Sequence, residues 1–119
     1  MPDKNILVVD DEKDIVEFMR DLLEDNGYNV TAAYNGAEAL EEIKVRKPDL
    51  ILLDLQMPEE TGTGLYRKLH TRSDLKDIPV IIVSGLAGKN IAVSKSVKVL
   101  DKPPEEEELL AEVKKALKE

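Results

Sequence analysis

Cysteine and tryptophan are absent from this 119-residue sequence, and aromatic residues make up only 3% of it. Without cysteine the chain can form neither disulfides nor thiolate metal sites. With so few aromatics, the core must be aliphatic, and the 42% hydrophobic content is enough to build one. No apolar stretch approaches the roughly 20 residues that span a bilayer, so membrane insertion is not expected.

Positive charge is also scarce, since 17 Lys and Arg face 25 Asp and Glu, for a net charge of -8 at pH 7. A nucleic-acid-binding surface needs a basic face, so direct binding to nucleic acid is not expected. The N-terminus lacks the basic and apolar segments of a secretory signal, and the expected compartment is the cytoplasm. The length suits one domain, which we expect to span residues 1–119.

Apolar runs alternate with amphipathic segments along the chain. Strands are expected at 6–9, 28–33, 49–54, 78–85 and 97–104, and helices at 14–27, 35–47, 63–72 and 105–119. Asn35 and Glu38 form a capping signal for the second helix, and Gly27 follows the first. Segment 86–96 has no convincing apolar stripe, so a helix there is short or absent. The pattern predicts an α/β fold with a doubly wound, five-stranded parallel sheet.

Polar residues stand where the buried strands end. Asp10 and Asp11 follow the first strand, Asp54 the third, Ser84 the fourth and Lys102 the fifth. Because the carboxyl ends of parallel strands share one edge, these side chains are expected to converge. Taken singly, an aspartate could cap a helix or start a turn, the serine could be an ordinary strand-end hydroxyl, and the lysine could be solvated. Together, those explanations leave three carboxylates without a counter-charge.

A divalent cation would balance these carboxylates. Two like charges about 4 Å apart repel by roughly 1 to 4 kcal/mol, and Mg²⁺ prefers oxygen ligands while keeping waters for a substrate. A carboxylate beside a metal and a lysine can attack phosphorus and form an acyl phosphate. The cation and the ammonium then stabilise the phosphoryl oxygens. The residues therefore predict phosphoryl transfer to an aspartate.

Four stretches, VVDDE, LLDLQMPEETG, VIIVSG and DKP, resemble the receiver domain of two-component response regulators, the CheY-like class. The resemblance covers about residues 4–117 and implies a flavodoxin-like (βα)5 fold with strand order 2-1-3-4-5. It implies that Asp54 accepts a phosphoryl group from a sensor histidine kinase or a histidine phosphotransfer protein. The domain would then signal by conformational change, and would catalyse only its own phosphorylation and slow dephosphorylation.

The resemblance also assigns the other site residues. Mg²⁺, or Mn²⁺ in its place, would be held by Asp11, Asp54 and the backbone carbonyl of Gln56, with Asp10 acting through metal-bound water. Lys102 would pair with the phosphoryl group, and its peptide bond to the following proline would be cis. Ser84 would be the switch hydroxyl that moves to bond a phosphoryl oxygen.

Some positions depart from the family pattern. Val99 stands where receivers usually have Tyr or Phe, so the usual coupled movement of that ring with Ser84 is in doubt. The segment from Ser84 to Lys102 is also shorter than usual, and we expect a remodelled output face there. Both features favour an alternative, a receiver-like interaction module that never uses phosphate, whereas the intact acidic cluster opposes it.

Two further points concern alternatives and the single histidine. A Mg²⁺-dependent phosphohydrolase of the common haloacid-dehalogenase-like pattern would have another Asp two residues after its nucleophile, where this sequence has Gln56. His70 is expected to be structural or solvated, because it lies late in a surface-facing helix. The sequence indicates neither the cognate kinase nor the downstream protein partner.

Overall fold

The computed structural model describes residues 4–54, 62–85 and 98–118. Five strands form one parallel sheet in the order β2-β1-β3-β4-β5. The strands are β1 (Asn5–Val9), β2 (Asn29–Ala33), β3 (Leu50–Leu53), β4 (Val80–Ser84) and β5 (Lys98–Asp101). The helices of the described part are α1 (Lys13–Asp25), α2 (Gly36–Val45), α3 (Gly62–Thr71) and α4 (Glu106–Ala116). The predicted fold class and strand order are confirmed.

The sheet separates two apolar clusters, because successive side chains of a strand point to opposite faces. In β1, Leu7 and Val9 face the cluster covered by α2 and α3. Ile6 and Val8 face the other cluster, which α1 and α4 cover. Most of the buried hydrophobic residues are Leu, Ile and Val, as the low aromatic content predicts.

Local sequence signals explain several element ends. The Asn35 side chain accepts a hydrogen bond from the Glu38 N–H at 2.8 Å, which caps α2 as predicted. Gly27 has a φ of 92° just after α1, a backbone conformation that favours glycine. Strand β5 ends at Asp101, before Pro103, because proline has no N–H for the ladder.

The position of each strand in the sheet agrees with its sequence pattern. Strand β2 is more polar than the other strands in sequence, and it is an edge strand with exposed residues along it. Strands β1, β3 and β4 are almost fully buried, as their continuous apolar runs predict. The predicted short or absent helix at 86–96 lies outside the described residues. Within the described ranges, no helix has the length and apolar character needed to cross a membrane.

Candidate functional site

Backbone hydrogen bonds fix two aspartates at the carboxyl edge of the sheet. The Asp10 N–H donates to the carbonyl of Ala33 in β2 at 3.1 Å, and the Asp54 N–H donates to the carbonyl of Val9 in β1 at 2.9 Å. Both bonds extend the parallel ladder by one residue past the strand end. The two side chains are thus held at one edge, and both are only 1% exposed.

Lys102 joins these aspartates from the other side of the edge. Its Nζ lies 3.0 Å from Asp10 Oδ1 and 3.2 Å from Asp54 Oδ2, donating a hydrogen bond to each. Asp10 Oδ2 is also 3.0 Å from Nζ, as an ion pair without hydrogen-bond geometry. The lysine side chain is only 11% exposed. The Lys102–Pro103 peptide bond is cis, as the family resemblance implied.

Glu12 is a third carboxylate partner that the sequence-based assignment did not include. Its Oε1 lies 2.8 Å from Lys102 Nζ. Glu12 is also the N-cap residue of α1, so neither Asp10 nor Asp11 takes the capping position considered for them. Asp10 Oδ1 instead accepts a hydrogen bond from the Glu12 N–H at 2.9 Å. The only available signal was the position of Glu12, directly after the acid pair at a helix start.

The pKa values of Asp10 and Lys102 are both raised above their ordinary values. Burial raises the pKa of Asp10 from its ordinary 3.8 to about 6, against the lowering effects of the Glu12 N–H and of Lys102. For Lys102, burial alone would lower the pKa, but hydrogen bonds to Glu12 and Asp10 and the charge of Asp54 outweigh it and raise the pKa. Lys102 therefore remains a cation at neutral pH.

The acids at the start of α1 fit a hard cation. Asp10, Asp11 and Glu12 each offer a carboxylate oxygen, and these oxygens lie within 4.8 Å of one another. Asp10 Oδ2 is buried and has no hydrogen-bond partner among the described residues. An all-oxygen donor set with a buried oxygen that accepts no hydrogen bond suits Mg²⁺. Asp54 is linked to this group through Lys102, and Gln56, the predicted carbonyl ligand, lies outside the described residues.

Ser84 is the last residue of β4 and lies at the same edge of the sheet. Its partner in the neighbouring strand is Asp101 of β5. The Ser84 side chain is 1% exposed, and Oγ has no hydrogen-bond partner within the described ranges. Val99 is half-buried and packs against the cluster under α2 and α3. The structure thus places Ser84 at the predicted edge, but no hydrogen bond in the described part joins its hydroxyl to the three acids and the lysine.

His70 belongs to a separate part of the molecule. Its Nε2 and the Tyr66 hydroxyl are 2.5 Å apart, and the two rings meet edge to face with centroids 4.5 Å apart. Both residues lie on α3, one turn apart. Because the crossover helix runs antiparallel to the strands, the end of α3 that carries His70 lies towards the amino edge of the sheet. His70 is exposed and contacts Tyr66, which agrees with the expectation that it is structural or solvated.

The fold and the edge residues define an α/β domain whose polar site lies at the carboxyl ends of its strands, as in other open parallel sheets. More specifically, the chain belongs to the response regulator receiver domain family, which matches residues 6–114. The CheY-like class inferred from the sequence motifs is therefore confirmed. Receiver domains serve in two-component signalling through phosphorylation, and this chain is one of them.

Individual relatives agree with this assignment. The chain is 35% identical over 112 residues to protein Rrf1 of Nitratidesulfovibrio vulgaris, covering 94% of this chain and 81% of that protein. It is 38% identical over 86 residues to the polar-differentiation response regulator DivK of Brucella anthropi, covering 72% of this chain and 70% of DivK. The signal receiver domain of a histidine kinase from Syntrophus aciditrophicus superposes with a TM-score of 0.87 at 32% identity, covering 97% and 90% of the two chains.

Proposed function

We propose that Asp54 is the phospho-acceptor of this receiver and takes its phosphoryl group from a sensor histidine kinase or a histidine phosphotransfer protein. The observation that carries the proposal is the position of Lys102, whose Nζ lies 3.2 Å from Asp54 Oδ2 and 3.0 Å from Asp10 Oδ1. A buried carboxylate can attack phosphorus as a nucleophile, and a cation fixed beside it stabilises the negative charge of the phosphorylated product. Asp54 meets both conditions, since it is 1% exposed and ion-paired.

In the proposed reaction, an Asp54 carboxylate oxygen attacks phosphorus, and the bond from phosphorus to the donor breaks. Lys102 then donates hydrogen bonds to phosphoryl oxygens instead of to carboxylates alone. Asp11, Asp54 and the carbonyl of Gln56 would hold Mg²⁺ or Mn²⁺, with Asp10 acting through metal-bound water. The bound cation supplies positive charge that offsets repulsion between these acids and the incoming phosphoryl group. The domain catalyses only its own phosphorylation and the slow dephosphorylation of Asp54 by water, without turnover of a separate substrate.

Ser84 is the proposed switch residue. Its buried Oγ has no hydrogen-bond partner within the described ranges, and such a hydroxyl gains free energy when it finds an acceptor. A phosphoryl oxygen on Asp54 would be that acceptor. Val99 has no hydroxyl or ring to move with Ser84, so we propose that the signal leaves the site through Ser84 and the backbone of β4.

The test is phosphorylation of the intact protein by acetyl phosphate or phosphoramidate with Mg²⁺, followed by intact mass measurement. We expect the wild type to gain one phosphoryl group, and Asp54→Asn to gain none. Asp14→Asn, which changes an exposed aspartate in the first turn of α1, is the matched control and should be phosphorylated as the wild type is. A wild-type protein that gains no phosphoryl group and does not bind Mg²⁺ would favour the phosphate-independent interaction module.

A further inference from the structure

We propose that Glu12 is a positioning residue that holds Lys102 in the unphosphorylated domain, and that the incoming phosphoryl group displaces its carboxylate. Glu12 would thereby slow the phosphorylation of Asp54. This inference rests on the proposed role of Asp54 as phospho-acceptor. It adds a residue to the site that the family resemblance did not assign.

The contacts of Lys102 distinguish Glu12 from the other two acids. The Glu12 carboxylate lies closer to Nζ than the other two, at 2.8 Å, compared with 3.0 Å for Asp10 and 3.2 Å for Asp54. Its side chain is 60% exposed, whereas those of Asp10 and Asp54 are 1% exposed. Removing a cation from a buried carboxylate is costly, but an exposed carboxylate regains water when it leaves. Glu12 is therefore the partner that Lys102 can release.

The helix start provides a second, independent observation. An N-cap side chain ordinarily accepts a hydrogen bond from a backbone N–H in the first turn. Glu12 occupies the N-cap position of α1, yet its side chain makes no capping hydrogen bond. The Glu12 N–H donates a hydrogen bond to Asp10 Oδ1 at 2.9 Å, which fixes the Glu12 backbone beside the site. The carboxylate is thus directed to Lys102 and serves no capping role.

The donor count on Lys102 explains why one partner must leave. A lysine ammonium has three N–H donors, and three carboxylates, those of Asp10, Glu12 and Asp54, lie within ion-pair distance of Nζ. A phosphoryl oxygen on Asp54 needs one of these donors. Asp54 gives its carboxylate charge to the acyl phosphate, and the charged phosphoryl oxygens next to it then compete for Lys102. The buried Asp10 carboxylate keeps its cation, so the oxygen replaces the exposed Glu12.

The reaction that Glu12 slows forms one bond and breaks one bond. With acetyl phosphate, an Asp54 oxygen forms the new bond to phosphorus, and the bond between phosphorus and the acetyl oxygen breaks. The electron pair leaves with acetate, and no proton is transferred. Glu12 forms no bond to the phosphoryl group at any point and acts only through Lys102.

The experiment measures the rate of phosphorylation by acetyl phosphate at saturating Mg²⁺, with the Mg²⁺ affinity determined separately by titration. Glu12→Gln keeps the side-chain length but removes the charge, and we expect its rate to rise roughly two- to fivefold, the worth of one exposed ion pair. Glu12→Asp keeps the charge but shortens the reach to Lys102, so it should also exceed the wild-type rate. Asp14→Asn removes a charge from the same helix turn without touching Lys102 and should leave the rate unchanged.

Several outcomes would overturn the inference. An unchanged rate in Glu12→Gln excludes a restraint on Lys102, and a lower rate with weaker Mg²⁺ binding makes Glu12 a cation ligand instead. If Glu12→Asp matches the wild type while Glu12→Gln is faster, the effect is general charge repulsion and not the contact with Lys102. If the wild type takes up no phosphoryl group, the proposed function itself is refuted. That outcome differs from those above, in all of which the wild type is phosphorylated.

Discussion

The charge on Asp10 should destabilise the metal-free domain at neutral pH, and Asp10→Asn tests this directly. Burial raises the Asp10 pKa from 3.8 to about 6, so between these values the native state binds more protons than the unfolded chain. Stability then falls as pH rises through this window. Asn has almost the same shape but does not titrate, and Lys102 keeps Glu12 and Asp54 as partners.

The magnitude follows from the same two pKa values. Each pKa unit corresponds to about 1.4 kcal/mol, so a rise from 3.8 to about 6 amounts to roughly 3 kcal/mol when the whole window is crossed. Most of this pH window lies between about pH 4 and pH 7. We therefore expect Asp10→Asn to gain stability relative to the wild type as pH rises. The difference in their free energies of unfolding should increase by about 2 to 3 kcal/mol over this interval.

Urea unfolding monitored by circular dichroism in EDTA at several pH values gives this difference. Asp14→Asn is measured in parallel, because it removes one exposed carboxylate and controls for the change in net charge. If the difference between Asp10→Asn and the wild type were constant with pH, or fell as pH rose, the assigned cost of the buried Asp10 charge would be wrong. Repeating the series with Mg²⁺ should reduce the advantage of Asn, since a bound cation favours the carboxylate.

Three further predictions concern stability. Ser84→Ala should leave the free energy of unfolding unchanged or raise it by up to about 1 kcal/mol, because the buried Oγ has no hydrogen-bond partner within the described ranges; a loss seen by urea titration would contradict this. Asn35→Ala should cost about 1 kcal/mol through the lost cap on Glu38 N–H, and Asn35→Asp should restore it. Leu109→Ala should cost about 3 kcal/mol, because Leu109 is 0% exposed, and thermal unfolding should show a lower Tm.

Much of the fold could be predicted because its signals are local or periodic. The continuous apolar runs predicted the buried strands β1, β3 and β4. Strand ends were less accurate: the fourth strand was expected from residue 78 but begins at Val80. Pro79 explains this difference, since proline has no N–H for the ladder.

The site was predictable only as far as the topology alone brings residues together. Asp10, Asp54 and Lys102 follow three strands of one sheet, so their convergence followed from strand order, and it is confirmed. The contact of Glu12 depends on where a long side chain turns at the start of a helix, and strand order carries no information about that. For Ser84, strand order gave the edge but could not indicate that its hydroxyl makes no hydrogen bond in the described part of the chain.

The Asp10 N–H donates a hydrogen bond to the carbonyl of Ala33, and the Asp54 N–H donates one to the carbonyl of Val9, so the acidic site is connected across β2, β1 and β3. A slip of one residue in β1 or β3 would turn the aspartate that follows that strand to the opposite face of the sheet. A collapsed chain with a slipped strand could still bury apolar surface and show native-like helix content, yet its acids and lysine would no longer meet. Under the proposed function, uptake of a phosphoryl group by Asp54 is therefore also a chemical assay of strand register, and it can separate correctly folded material from compact misfolded material in a purified preparation.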